Sequence, residues 1–338
     1  MPRQSRRARI KTPPILLRKT QDCLTRIQAL VPGTFLTYWT STSGSVCDND
    51  VMAMHEVLEA TRPHRSVTLL VKSDGGSGMA SLRMIHLLRR YTKRLTVLAP
   101  LNCASAATML ALGADTIGMG PLSYLTAVDT SLEHDLSPVD HTNSLVAVSN
   151  DEVDRVIRLW KEAAQRGATA VNPYQELYRY LHPLVIGALD RASSLSLMLC
   201  REILGYHMRD PRKAERIARR LNSSYPAHQY PITSREARRI GLRVIDIAPE
   251  LDALLQELNL LYSEMGQRAI TDHDEFNHHD NEITNILEGT ALQMIYQVEK
   301  DWHYRKEERR WVPMNDVSSW HRLSEARGRI VRDKFHIR

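Results

Sequence analysis

Two short segments of this 338-residue chain hold residues whose types and spacing suit chemistry. The first is Ser73-Asp74-Gly75-Gly76-Ser77-Gly78, which follows the apolar run Ser66–Val71. Glycines at such a turn let the backbone take conformations closed to other residues, and let a substrate approach main-chain N–H groups. The run spells neither GxGxxG nor a P-loop, so it argues only weakly for a nucleotide. The second segment is Asn102-Cys103-Ala104-Ser105-Ala106-Ala107-Thr108-Met109. Ser105 stands where a strand turns into a helix of small residues, over free N–H groups and the positive end of the helix. Attack by Ser105 on a carbonyl would bring an oxyanion within reach of the N–H groups of Ala106 and Gly76. The competing assignment is structural: Ser105 caps a buried helix. Spacing alone leaves both open.

The elements that must position these segments alternate between short apolar strands and amphipathic helices. Strands are expected over Gly33–Thr40, Ser66–Val71, Leu95–Ala99 and Thr116–Met119. Helices are expected over Asp48–Thr61, capped by Asp48 or Asn49, over Met79–Tyr91 and over Ala104–Gly113. Repeated strand–helix units with short joins predict an α/β fold with a mostly parallel sheet and outer helices. Further on, Ser149-x-x-Glu152 and Thr233-x-x-Glu236 read as capping boxes, with a long helix over His182–Tyr206 between them. Leu242–Ile247 reads as a last strand, and Leu251–Tyr262 as an amphipathic helix for packing or oligomer contact. Asp272–Glu282 reads as a polar loop or linker, and residues 290–314 as a terminal hairpin. The expected division is a basic arm over 1–19, a main domain over 20–265, and a C-terminal extension over 266–338.

Composition narrows the function classes. A hydrophobic share of 43% is too high for a disordered chain. No apolar run of about 18 residues occurs, so no spanning helix is expected. The basic N-terminus lacks the apolar segment of a secretory signal. Cys23, Cys47, Cys103 and Cys200 are scattered without CxxC spacing, which predicts no disulfide framework, no zinc knuckle and a cytoplasmic protein. His273, His278 and His279 lie among carboxylates, but without the regular spacing that zinc ligands need; a solvated loop is expected and no metal. The formal charge of +6 comes mostly from the two ends. Such basic blocks read as solvated arms, with contact to nucleic acid or another anionic surface as the lesser alternative.

SDGG at 73–76, CASAATMLALGAD at 103–115 and MGPLSYLTAVD at 119–129 together resemble the serine dehydrogenase proteinase family. That family belongs to the Clp protease and signal peptide peptidase A group, with the Clp/crotonase fold. HPLVIGALDR at 182–191 and HQYPITSREARRIGLRVID at 228–246 resemble its later elements, so the likeness runs from about Gly33 to Leu251. The resemblance implies a cofactor-free serine peptidase acting on peptides or proteins, with Ser105 as nucleophile and Gly75, Gly76 and Ala106 forming the oxyanion hole. It also implies a homo-oligomer, and leaves open whether an ATPase or membrane-associated partner feeds it.

The departures from the family pattern matter. Asp74 replaces a proline before the paired glycines, and Ala107 a glycine after the nucleophile's neighbour. Where Clp proteases carry the catalytic histidine this chain has Asp129, and where they carry the aspartate it has His228. The resemblance therefore implies a Ser105–His228–Asp129 constellation with histidine and carboxylate exchanged. Lys161 is the alternative base, by analogy with Ser–Lys dyads, although its amphipathic helix predicts a solvated amine. His182 reads as a helix cap or interface residue, His134 as an exposed loop residue, and Cys103 as a small buried hydrophobe. Two rival classes remain. A catalytically silent oligomeric scaffold would have kept the fold and lost the base, whereas a crotonase-type acyl-CoA enzyme would have no need of Ser105.

Overall fold

Strands form where β-branched and aromatic residues cluster in runs too short for a helix. The computed structural model, which describes residues 9–62, 65–129, 131–141, 144–166 and 172–336, divides into two compact units. Unit 1 holds the chain up to Thr126 and again from Pro231; unit 2 is Ala127–Tyr230.

The first part of unit 1 runs α1 (Leu17–Gln28), β1 (Thr34–Thr40), α2 (Asp48–Ala60), β2 (Val67–Lys72), α3 (Gly78–Tyr91) and β3 (Leu95–Ala99). Then come β4 (Asn102–Cys103), α4 (Ala106–Leu112), β5 (Thr116–Met119) and β6 (Tyr124–Leu125). Unit 2 contributes β7 (Ser131–Leu132), β8 (Val148–Ser149), α5 (Asn150–Gln165), α6 (Pro173–Leu177), α7 (Pro183–Gly205) and α8 (Pro211–Ser223). Unit 1 resumes with α9 (Ser234–Arg239), β9 (Val244–Asp246) and α10 (Pro249–Met265). It ends with β10 (Ile270–Asp272), β11 (Asn277–Gly289), β12 (Leu292–Arg305), β13 (Arg310–Asp316), β14 (Ser319–Ala326) and β15 (Arg329–Phe335).

The expected parallel sheet is present, in the order β1–β2–β3–β5–β9. Its register aligns Leu36, Leu69, Val97, Ile117 and Val244 in one row across the strands. Near-continuous apolar strands of this kind belong in a parallel sheet buried on both faces. Unit 2 is entered and left at one place in unit 1, because Leu125 pairs antiparallel with Ile232. Its own core gathers Val148, Val153, Ile157, Leu177, Val185 and Leu189.

Several expectations need correction. The division at residue 266 is not observed: β11 pairs antiparallel with β1, and β12, β14 and β15 continue the same sheet outward. The Asp272–Glu282 stretch is not a linker, since β10 and β11 occupy most of it. Some of its polar side chains pair across strands; His279 bonds Asp301 at 2.8 Å, and Asn281 accepts from Gln297. The hairpin expected over 290–314 is present as β12–β13, but it is not terminal: β14 and β15 follow it, and β11 and β12 form another hairpin before it, turning at Ala291 with φ 79°. Capping differs as well. Cys47, with Asp50 as its partner, caps α2, whereas Ser149 and Thr233 occupy cap positions without a side-chain bond. Finally, α7 is long and apolar enough by composition to cross a membrane, contrary to expectation. It carries Asp190 and Arg191, and one of its faces packs in unit 2.

The basic arm was expected to be free up to residue 19. Residues 1–8 lie outside the described residues, but Leu17 is only 2% exposed, and Ile15 and Leu16 pack against the core with α10. Beside them the fully buried Glu288 accepts from Thr20 Oγ1 (2.7 Å), Gln21 Nε2 (2.6 Å), Tyr262 OH (2.7 Å) and Gln293 Nε2 (2.7 Å). Its acid stays above the usual carboxylate range because burial disfavours the charge. Deleting residues 1–19 is therefore expected to lower the melting temperature by several degrees, since burying one leucine is worth about 1.5–3 kcal/mol. An unchanged melting curve would show the segment to be idle.

Candidate active site

Ser105 sits between β4 and α4 with φ 51° and ψ −117°. A non-glycine residue at positive φ is strained, and such strain persists only where the surroundings enforce it. Here they do. The Ser105 N–H donates to Thr126 Oγ1 at 2.8 Å, and the Thr126 N–H donates to Thr108 Oγ1 at 3.1 Å. The Thr108 hydroxyl lies 2.8 Å from Cys103 O. The capping alternative fails: Ser105 is the residue before α4, but its hydroxyl makes no bond to the helix. The half-buried hydroxyl is left for other work.

The glycine loop is tied to this turn through the backbone. Ser73 N–H donates to Asn102 O, and Ala104 N–H to Ser73 O, each at 3.0 Å. Gly75 and Gly76 have φ of 113° and 143°, both in the region that favours glycine. A Cβ on Gly75 would stand 2.6 Å from Ser105 Cβ, so the absence of a side chain there is what lets the two segments touch. The assignment of Gly75 as an oxyanion donor is corrected, because its N–H is given to Ser73 Oγ at 3.2 Å. Gly76 differs. The parallel bridge beside it uses Val46 N–H to Gly75 O and Ser77 N–H to Val46 O, which leaves the N–H of Gly76 out of the pairing. Ala106 opens α4, so its N–H has no acceptor four residues back in the helix. Asp74, in place of the family's proline, is exposed and held by the amide of Asn102.

In unit 2, His228 Nδ1 and Asp129 Oδ1 are 2.8 Å apart. The hydrogen bond to the carboxylate raises the imidazole above its ordinary 6.5, against the opposing effect of partial burial. With Nδ1 donating to Asp129, Nε2 is the nitrogen able to take a proton. Asp129 also lines a polar cleft of about 220 Å³ with Asp151, Arg155, Arg158, Ser193 and Asn222. Thus Ser105, Gly76 and Ala106 come together in unit 1, and His228 and Asp129 come together in unit 2.

The other candidates resolve into structural parts. Lys161 is exposed on α5. His182 caps α7 by accepting from the Leu184 N–H at 3.2 Å, and His134 accepts from the Leu136 N–H within a turn. Burial pushes the Cys103 thiol up, away from reactivity. His278 and His279 are consecutive residues of β11, so their side chains leave opposite faces. Sequence reasoning missed Thr108 and Thr126 as the braces of the serine turn. Both lie inside the segments that carry the family likeness, but nothing local marks a threonine as a brace.

Five parallel strands, a glycine loop after β2 and a strained serine opening the helix after β4 make a recognisable arrangement. It resembles the arrangement expected of the Clp/crotonase fold. No protein-family model matches the chain. It is 25% identical over 206 residues to an uncharacterised protein of Methanocaldococcus jannaschii, covering 60% of this chain and 63% of that one. The chain thus spans just under two thirds of that relative's length. Among solved structures it is similar to the membrane-bound stomatin-specific protease 1510-N in a mutant form, at 13% identity and a TM-score of 0.40. That likeness covers 70% of this chain and 87% of the protease. ClpP1 from Listeria monocytogenes matches at 13% identity and a TM-score of 0.35, over 70% of this chain and 99% of ClpP1. A complex of 1510-N with a substrate peptide matches at 14% and 0.28, over 68% of this chain and all of that one.

Proposed function

We propose that this Clp-like protein is a serine hydrolase that cleaves peptide bonds. The observation that carries the reading is Ser105 itself, held at positive φ with its hydroxyl free of the helix and a glycine seated against it. In this reading Ser105 Oγ attacks the scissile carbonyl carbon while its proton passes to a general base, for which the family resemblance offers His228. The carbonyl electrons move to oxygen, where the N–H groups of Gly76 and Ala106 stabilise the charge. The intermediate collapses by breaking the C–N bond, and His228 returns the proton to the leaving amine. Water then attacks the acyl-enzyme, again giving its proton to His228, and Ser105 is regenerated. Asp129 holds the imidazole in the tautomer that this requires. The test is degradation of an unfolded protein such as reduced casein, lost in Ser105→Ala. Intact casein with the wild type at every pH would sink the reading.

The silent-scaffold alternative would leave casein intact and Ser105 unreactive. The acyl-CoA reading gains nothing, because it leaves the strain at Ser105 unused.

We also propose a homo-oligomer in a reducing compartment, in keeping with four free cysteines. The Leu251–Tyr262 helix does not offer its apolar face to a partner, since Leu255, Leu258 and Tyr262 are buried within the chain. Assembly is supported by the exposed apolar set of unit 2: Leu159, Tyr180, Leu184 and Met198. Light scattering is expected to return a multiple of the 38.6 kDa chain mass, and a monomer at all concentrations would refute this.

A further inference from the structure

Residues 41–47 join β1 to α2, and this loop touches two partners at once. Toward the active site, Val46 N–H donates to Gly75 O at 2.7 Å, and Ser77 N–H donates to Val46 O at 2.8 Å. A Cβ on Gly76 would lie 2.4 Å from Val46 O and 2.6 Å from Val46 N, so these two backbones are in direct contact. Toward the C-terminal sheet, Ser41 N–H donates to Thr284 O at 2.8 Å. A Cβ on Gly44 would stand 2.3 Å from Thr284 O. Asn285 Nδ2 donates to Ser45 O at 2.8 Å and lies 3.1 Å from Asp50 Oδ1.

Asn285 reaches the loop by a specific device. The β11–β12 register shifts between Ile283 and Asn285, which marks a bulge at Thr284. Bulges insert one residue, bend the strand and re-aim the side chains beside them. Asn285 is 2% exposed, and its partner Asp50 is fully buried, also accepting from Tyr38 OH and the Cys47 N–H. A helix-capping box needs only Cys47 and Asp50. The amide of Asn285 is an addition to that box, and it grips the carbonyl of Ser45, next to the residue that pairs around Gly76. An unpaired buried amide is costly, so this contact is held firmly in one geometry.

We propose that Asn285 is a positioning residue for the oxyanion site, holding Gly76 in place through Ser45 and Val46. The proposal rests on the reading of Ser105 as nucleophile. It gives the C-terminal sheet a part in catalysis, although Asn285 lies beyond the Gly33–Leu251 stretch that resembles the family.

Asn285→Asp keeps the side-chain shape and removes the donor; Asn285→Ala removes both. Amide hydrogen exchange at Val46 and Ser77 is measured relative to Val97 in β3, so that global opening cancels. In both variants the relative exchange is expected to rise at least about tenfold. Labelling of Ser105 by a fluorophosphonate is expected to slow about tenfold or more, below the roughly 10²–10³ cost of deleting an oxyanion donor outright. Peptide hydrolysis should lose kcat with KM nearly unchanged, the pattern of an interaction made in the transition state. His303→Ala, a change of similar size elsewhere in the same sheet, should leave exchange and labelling at wild-type values. Wild-type exchange at Val46 and Ser77 in both Asn285 variants would overturn the positioning role. Exchange that responds while the wild type never labels would instead overturn the nucleophile reading, and with it the catalytic meaning of the contact.

Discussion

Ser105→Ala is expected to abolish fluorophosphonate labelling and to lower peptide hydrolysis on the order of 10⁴-fold or more, the scale of removing a nucleophile from a hydrolase site. The covalent adduct, read by mass spectrometry, should lie on the peptide containing Ser105 and nowhere else. Alanine carries the same Cβ at the same φ of 51°, so the backbone strain is unchanged and the melting temperature should be too. Ser105→Gly supplies the contrast. It removes the nucleophile equally, but relieves a strain of order 1–3 kcal/mol, so it should be as inactive as alanine and at least as stable. A serine kept at a position where glycine is the more stable residue is the signature of function opposing stability. Labelling that persists in Ser105→Ala would move the nucleophile elsewhere and end this assignment.

His228→Ala is expected to slow labelling by about 10²-fold, the usual scale for losing a general base. The base acts in its neutral form, so the rate should rise with pH. Because the hydrogen bond to Asp129 raises the imidazole, the midpoint should lie above 6.5. Asp129→Asn removes that bond to the charged form and leaves only the opposing burial, so the midpoint should fall below the wild-type value while the maximal rate also drops. The same linkage has a sign for stability. A folded-state pKa above the unfolded one adds stability that is complete below about 6.5, and that is lost as pH rises through the folded value. The stability difference between wild type and His228→Ala should therefore shrink on going from pH 5.5 to pH 8.5. Lys161→Ala should change labelling less than twofold. A profile for the wild type that His228→Ala leaves untouched would take the base away from this residue.

Local signals carried much of the fold. The parallel strands β1, β2, β3 and β5 were legible because their apolar runs and glycine turns are local features, and each strand pairs with one close in sequence. The glycine loop and the serine turn were legible for the same reason, since both lie in short segments with unusual composition. The C-terminal sheet was not. Asp272–Glu282 is polar residue by residue, and its burial comes from partners some twenty residues further on: Asp301 for His279 and Gln297 for Asn281. Glu288 is a starker case: three of its four donors come from α1 and α10, well away from it in the chain, and only Gln293 is close in sequence. The arm behaves likewise, with Leu17 buried by helix α10, more than 230 residues away in the chain.

The sequence by itself determined where candidates for chemistry lie: a serine at a strand-to-helix turn and paired glycines after a strand, with the His228 and Asp129 slots added only by the family resemblance. Residue type and spacing are sufficient for that, because turns and helix starts are set by the nearest few residues. Tertiary structure alone decided what each of these groups can do. It set Ser105 at positive φ through Thr126, and it took the N–H of Gly75 for Ser73 while leaving that of Gly76 out of the pairing. It also placed Asn285 against the loop that holds Gly76. Hydrogen bonds between segments far apart in the chain depend on close approach in space, and residue order encodes that only through the whole fold.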